Sequence, residues 1–373
     1  MNVLHVHSGN MFGGVERMLQ TLGPRIAGTS PITSSYALCF EGRTADALRA
    51  EDGTVHHLGT VRARRPDEIR RARRALRDVL DAHRPDVVAV HSSWSQAIFG
   101  ATIRAGALPL VRWMHAPEPG PLWMETWASR SAPQLVLCNS RHTLDGVRTR
   151  LAHVPLAVCY PPARAAAPIA GAREDVRREL GTRPDAVVIV IAARMESWKG
   201  HQLLVESAAG LPPGGWEIWI AGAPQRSAEV RYFERLSDTA RAIGLSSSIR
   251  FLGERADVAR VLQAADIYSQ PNTGPEPFGL SFVEALAAGL PVVTTSIGAA
   301  PEIVDDRCGV LVAPHDMDAL SAGLRQLLDD TVRRQQMGAA ARERARELCD
   351  LPRSMDVLAR ELRRVVPASL AVA

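Results

Sequence analysis

Short apolar runs alternate with amphipathic helical stretches along almost all of this 373-residue chain, and the rhythm stops once and starts again. Runs such as residues 186–191, Ala-Val-Val-Ile-Val-Ile, have no polar residue at alternate positions. A strand of that kind must be covered on both faces, which a parallel sheet between two helical layers provides. The break falls in Tyr160–Pro168, rich in Pro and Ala and without periodicity, as an interdomain linker would be. The predicted organisation is therefore α/β. It has an N-terminal doubly wound domain over 1–160, a linker with the first helix of the next domain over 161–184, a second doubly wound domain over 185–353, and a C-terminal helix and tail over 354–373 that could pack back on the first domain. Ligands of such sheets bind at the carboxyl ends of the strands, so two such domains facing one another are expected to share a cleft.

Composition narrows the class. The chain is 46% hydrophobic and 23% charged, ordinary for a folded soluble protein, and its net charge of +4 is compatible with an anionic ligand or a membrane surface without demanding either. The one dense basic run, Arg62 to Arg77, carries Ile69, Ala72, Leu76 and Leu80 at helical spacing. It reads as a solvated helix face, and no nucleic-acid partner is expected. Five scattered cysteines without a CxxC pair suit a reducing compartment. No apolar stretch approaches the roughly 20 residues that span a bilayer, and the N-terminus runs straight into a predicted strand. A cytoplasmic protein is expected, with contact to the inner face of a membrane left open.

The chemistry-bearing residues follow predicted strands. Gly13 and Gly14 come after the strand Asn2–His7 and open a helix predicted over Gly14–Ile26, where backbone could approach an anion closely. Arg194 and Lys199 follow the strand predicted over Ala186–Ala193 and bracket a helix predicted over Gly200–Ala209. Lys199 is the only lysine among 44 Lys and Arg residues. A compact ammonium kept against that bias suggests a crowded phosphate site where a planar guanidinium would not fit. After the strand predicted over Ile267–Gln270 comes Glu276-Pro-Phe278-Gly279-Leu280-Ser281, leading into a helix that carries Glu284. The start of that helix could hold a phosphate. His7, His91 and His115 each end a predicted strand. With no carboxylate at ligand spacing they read as structural histidines, except that His115 is expected to touch substrate.

Gly13-Gly14-Val15-Glu16-Arg17, Arg194…Lys199-Gly200-His201 and Glu276-Pro-Phe-Gly-Leu280…Glu284-Ala-Leu-Ala-Ala-Gly-Leu-Pro-Val-Val293 resemble the family-4 retaining glycosyltransferases of the two-domain GT-B fold. The Glu-x7-Glu segment is the most specific of these. The resemblance implies two Rossmann-like domains and a nucleotide-diphosphate-sugar donor bound mainly by the second. It implies that Arg194 and Lys199 hold the diphosphate, backbone groups of Leu280 and Ser281 the distal phosphate, Glu284 the ribose and Glu276 the transferred sugar. Gly14 would close on the phosphates, His115 would lie near the reacting sugar, and Glu254 and Arg255 would lie near the base. Family frequency alone points to a UDP-sugar. Retention in the family is attributed to a front-face path without a protein nucleophile, and no Asp-x-Asp in a strand-to-loop context calls for a metal ion; no cofactor is expected. The acceptor, a small molecule, glycan or lipid-linked hydroxyl, is not legible. A nucleotide-sugar 2-epimerase-like isomerase on the same fold and a non-catalytic nucleotide-sugar-binding subunit are the competing readings.

Overall fold

The computed structural model describes residues 1–10, 13–23, 30–117, 122–163 and 167–366. They form two compact units, one from the chain up to 164 together with everything from 349, the other from 165 to 348. The parts of the predicted helix Gly14–Ile26, of the linker and of the tail that fall at 24–29, 164–166 and 367–373 lie outside the described residues.

The first unit holds a seven-stranded parallel sheet: β1 (Asn2–His7), β2 (Thr33–Leu38), β3 (Thr54–His57), β4 (Val87–Val90), β5 (Leu110–Met114), β6 (Leu135–Cys138) and β7 (Leu156–Val158), in the order β3-β2-β1-β4-β5-β6-β7. β1 pairs with β2 from Asn2↔Thr33 to His7↔Leu38, and with β4 from Val3↔Val87 to Val6↔Val90. Strand order reverses between β1 and β4. At such a switch point neighbouring crossovers leave on opposite faces and open a crevice beyond the strand ends. One face of the sheet is filled by Val3, Met18, Trp113 and Leu137. Met355, Leu358, Ala359 and Leu362 of the helix Leu351–Arg363 pack into the same cluster. That helix starts where Asp350 accepts the backbone N–H of Arg353. The arginine-rich helix Pro66–His83 buries Ile69, Ala72, Leu76 and Leu80 and exposes Arg70, Arg71, Arg74 and Arg77. Arg73 departs from the expected solvated face and donates to the Ile98 carbonyl at 2.6 Å.

The second unit repeats the arrangement with β8 (Val187–Ala192), β9 (Trp216–Ala221), β10 (Ile249–Gly253), β11 (Ile267–Ser269), β12 (Val292–Thr295) and β13 (Gly309–Val312), parallel in the order β10-β9-β8-β11-β12-β13. Its switch point lies between β8 and β11, joined at Ile267↔Ile189 and Tyr268↔Val190. Ile189, Ile191, Leu204, Ile218 and Leu324 belong to its core. The helix expected over Gly200–Ala209 is α-helical at its centre, closes in a 3₁₀ turn at Ala208–Gly210 and is preceded by a separate turn. Ser197–Lys199 is a 3₁₀ turn, Gly200 takes φ +82°, and the α-helix runs His201–Ser207. The left-handed glycine is obligatory here, because a Cβ at Gly200 would lie 1.9 Å from the Pro271 carbonyl oxygen. Lys199 ends a tight turn just before the helix, as its place ahead of Gly200 implied.

Candidate active site

Both switch points carry the residues singled out by sequence, each in its own unit. In the second unit, the segment after β8 brings Arg194 and Lys199, and the segment after β11 brings Glu276 and the helix Leu280–Ala288. Lys199 Nζ lies 2.6 Å from Glu276 Oε2 and 4.0 Å from the centre of the Trp198 ring. Arg194 pairs with Glu196 at 3.0 Å. The Glu276 backbone is fixed as well. It bridges to Gly298, and its carbonyl accepts the N–H of Ala299 at 2.8 Å. A Cβ at Gly298, which has φ +66°, would come 2.4 Å from the Glu276 nitrogen.

Gln270, which ends the expected strand, is the hub that sequence reasoning missed. It is fully buried; its Nε2 donates to Asn272 Oδ1 at 3.0 Å and to Glu276 Oε2 at 3.2 Å, while its Oε1 accepts from Tyr268 at 2.8 Å and Ser281 at 2.9 Å. Two donors and two acceptor sites are all satisfied, so the amide has one orientation. The Ser281 hydroxyl is thereby used internally, leaving its backbone N–H as the group at the helix start. Gly279, at φ +96°, precedes that helix, and Glu284 sits one turn inside it. Phe278 is buried and directs the course of the loop from inside the unit. The guanidinium of Arg255, expected near a base, pairs with Asp257 and Glu179 and ties the loop after β10 to the helix Ala172–Glu179. Glu254 beside it is exposed.

In the first unit, Gly13 and Gly14 stand at the start of the helix Gly14–Thr21. The expectation that these amides are all open to an anion is corrected at Gly13, whose N–H donates to Glu16 Oε2 at 2.8 Å. Glu16 Oε1 meets His7 Nε2 at 2.8 Å, so His7 does have a carboxylate partner, nine residues away and invisible as a spacing motif. Gly14 is exposed. His115 lies at the end of β5, its carbonyl accepting from Asn139 Nδ2 at 3.1 Å and its Nε2 in contact with His91 Nδ1 at 3.0 Å. His91 in turn meets His5 at 3.0 Å. Burial drives the pKa of His5 and His115 down to about 3, and that of His91 well below the usual imidazole range. Residues 118–121, after His115, lie outside the described residues. Among the described residues, no group of three His, Cys, Asp or Glu side chains is arranged to hold a metal ion, and no helix is long and apolar enough to cross a membrane.

Residues 172–344 match the family Glycosyl transferases group 1, and residues 12–166 match Glycosyltransferase Family 4. A D-inositol 3-phosphate glycosyltransferase of Corynebacterium kroppenstedtii is 38% identical over 181 residues, 47% of this chain and 40% of that protein. One from Mycobacterium marinum is 34% identical over 202 residues, 53% of this chain and 40% of the relative. The chain thus spans about two fifths of the length of these curated relatives. Among solved structures, Anabaena Alr3699/HepE in complex with UDP-glucose superposes with TM-score 0.84 at 22% identity, covering 98% of this chain and all of that one. A glycosyltransferase from Rickettsia africae gives 0.85 at 18% identity, covering 98% and 99%. At these identities the likeness is one of fold, two Rossmann-like units of the GT-B class.

Proposed function

Since this chain belongs to the family-4 glycosyltransferases, we propose that it transfers a hexose-type sugar from a nucleotide diphosphate, a UDP-sugar in the first instance, to a hydroxyl acceptor, with retention and without a metal ion. The observation that carries the reading is the meeting of Lys199 with Glu276 beside a helix start at the second switch point. An ammonium has three donors, and one contact to Glu276 leaves two for phosphate oxygens. Arg194 adds a second positive charge after the same strand. Charge that builds on the leaving diphosphate is stabilised by these groups and by the N–H groups of Leu280 and Ser281. Glu276 Oε2 accepts from Lys199 and Gln270, and Oε1 is the oxygen through which sugar hydroxyls would be bound. Glu284, one turn into the helix, would take the ribose hydroxyls.

In the transfer, the bond from the anomeric carbon to the phosphate oxygen breaks and a bond to the acceptor oxygen forms on the same face. The acceptor proton passes to the departing phosphate. Glu276 and Glu284 would both lie beside phosphates, where a carboxylate serves as a hydroxyl acceptor better than as a nucleophile. The test incubates the protein with UDP-, GDP- and ADP-sugars, with and without acceptors that include D-inositol 3-phosphate, in the presence of EDTA. Acceptor-dependent release of nucleotide diphosphate, with an axial or equatorial product linkage that matches the donor, is the expected result. Acceptor-free interconversion of the sugar would establish an isomerase, and binding without turnover a binding subunit.

A further inference from the structure

Three histidines from three adjacent strands form a continuous line in the first unit. His5 Nδ1 meets His91 Nε2 at 3.0 Å, and His91 Nδ1 meets His115 Nε2 at 3.0 Å. The His91 and His115 rings are nearly parallel, 14° apart, with centres 5.3 Å apart, as two rings joined edge to edge by a hydrogen bond would be. β1, β4 and β5 are neighbours in the sheet, so the line runs across it from the inside of β1 to the exit of β5. We propose that His5 and His91 are positioning residues that fix His115 as the Nδ1–H tautomer, so that its ring presents a hydrogen-bond donor, and not a base, to a carbohydrate hydroxyl oxygen.

A neutral imidazole carries one proton on its two nitrogens, so in each contact one ring donates and the other accepts. All three rings are neutral at pH 7, because burial holds each pKa far down. The line must then run head to tail in one of two directions. The inner end decides which. His5 Nε2 is buried and has no partner among the described residues. A proton there would be an orphaned buried donor, whereas an idle lone pair is the cheaper defect. His5 therefore keeps its proton on Nδ1 and donates to His91, and His91 donates from Nδ1 to His115. His115 Nε2 is then an acceptor, and its proton sits on Nδ1. That nitrogen has no hydrogen-bond partner among the described residues, on a ring that is half-buried where His5 and His91 are buried. His7 stands edge-on to His91 at 6.2 Å but gives its Nε2 to Glu16, so it feeds no proton into the line. Running the line backwards, as a base at His115 would require, ends in that orphaned donor.

The identity of the hydroxyl rests on the glycosyltransferase reading, but the tautomer does not, and the experiment reads the tautomer alone. Full-length protein labelled with ¹⁵N at histidine is observed by long-range proton–nitrogen correlation at pH 7.5 without substrate, with His115→Gln used for assignment. The expected result is protonated Nδ1 and unprotonated Nε2 at His5, His91 and His115. A proton on Nε2 of His115, or a doubly protonated ring in the line, overturns the proposal. In His91→Phe the Nε2 resonance of His115 should shift to that of an unbonded lone pair. An unchanged resonance in that folded variant likewise overturns it, and the wild-type spectrum decides if the variant does not fold. Absence of transferase activity would leave this outcome as it is.

Discussion

The ammonium of Lys199 is held between a carboxylate and an aromatic face, and only 13% of its side chain is exposed. A guanidinium is longer and planar and would have to displace Glu276 or Trp198 to enter. Both Lys199→Ala and Lys199→Arg are therefore expected to lower kcat, the alanine variant by about 2–4 kcal/mol of transition-state stabilisation, with KM changed much less. Steady-state kinetics on the accepted donor measures this, and near-wild-type turnover would remove Lys199 from the phosphate site. Gln270→Leu keeps the volume but strands the Ser281 hydroxyl and the Asn272 Oδ1 and leaves the Tyr268 hydroxyl only a long contact to the Ala192 carbonyl. A loss of about 1–3 kcal/mol in urea unfolding is expected. The buried histidines also set a pH dependence. His5 and His115 titrate near 3 and His201 near 4 in the folded chain, against 6.5 when unfolded. Between those values the unfolded chain binds more protons, so stability falls as pH drops below about 6.5. The melting temperature at pH 5.5 should lie below that at pH 7.5; an equal or higher value would contradict the neutral line of rings.

At the scale of elements, the hinge of the site is the loop from β11 to the helix Leu280–Ala288, pinned at Glu276 by Gly298. Gly298→Ala adds a side chain at φ +66° and pushes it onto the Glu276 backbone. The left-handed conformation costs about 1–2 kcal/mol and the overlap more. Turnover should fall with Glu276 displaced, and an unaltered kcat would mean that this backbone bridge does not position it. Much of this level was legible. β1 falls where periodicity puts it, and β8 and β11 lie within a residue of their expected ends, because each is bounded by an abrupt change of pattern. The helices Arg43–Ala50 and Leu122–Ala128 and the three-residue β7 were missed. They are short, and Gly42 gives Arg43–Ala50 no side-chain cap to announce it. Candidate residues close in sequence, such as Glu276 in the loop and Glu284 in the helix that follows, can be singled out from a motif. Contacts made across the sheet could not, because His5 and His91 are 86 residues apart and Gln270 declares its role only through four partners.

For the molecule as a whole, the two units draw their cores from different parts of the chain. Met355, Leu358 and Leu362 are buried with residues of β1 and β5 in the first unit, while the Lys199–Glu276 site belongs to the second. Leu358→Ala should destabilise the first unit by about 2–5 kcal/mol and leave the affinity of the protein for the proposed nucleotide-sugar donor unchanged in calorimetry. A parallel loss of nucleotide binding would show that the site depends on that packing. The same arrangement orders events during synthesis. The N-terminal segment is made lacking the last side chains of its own interior, which are translated only after the residues of the second unit. The half of the protein made first is thus completed last, and until then the apolar cluster of its sheet lacks Met355, Leu358, Ala359 and Leu362.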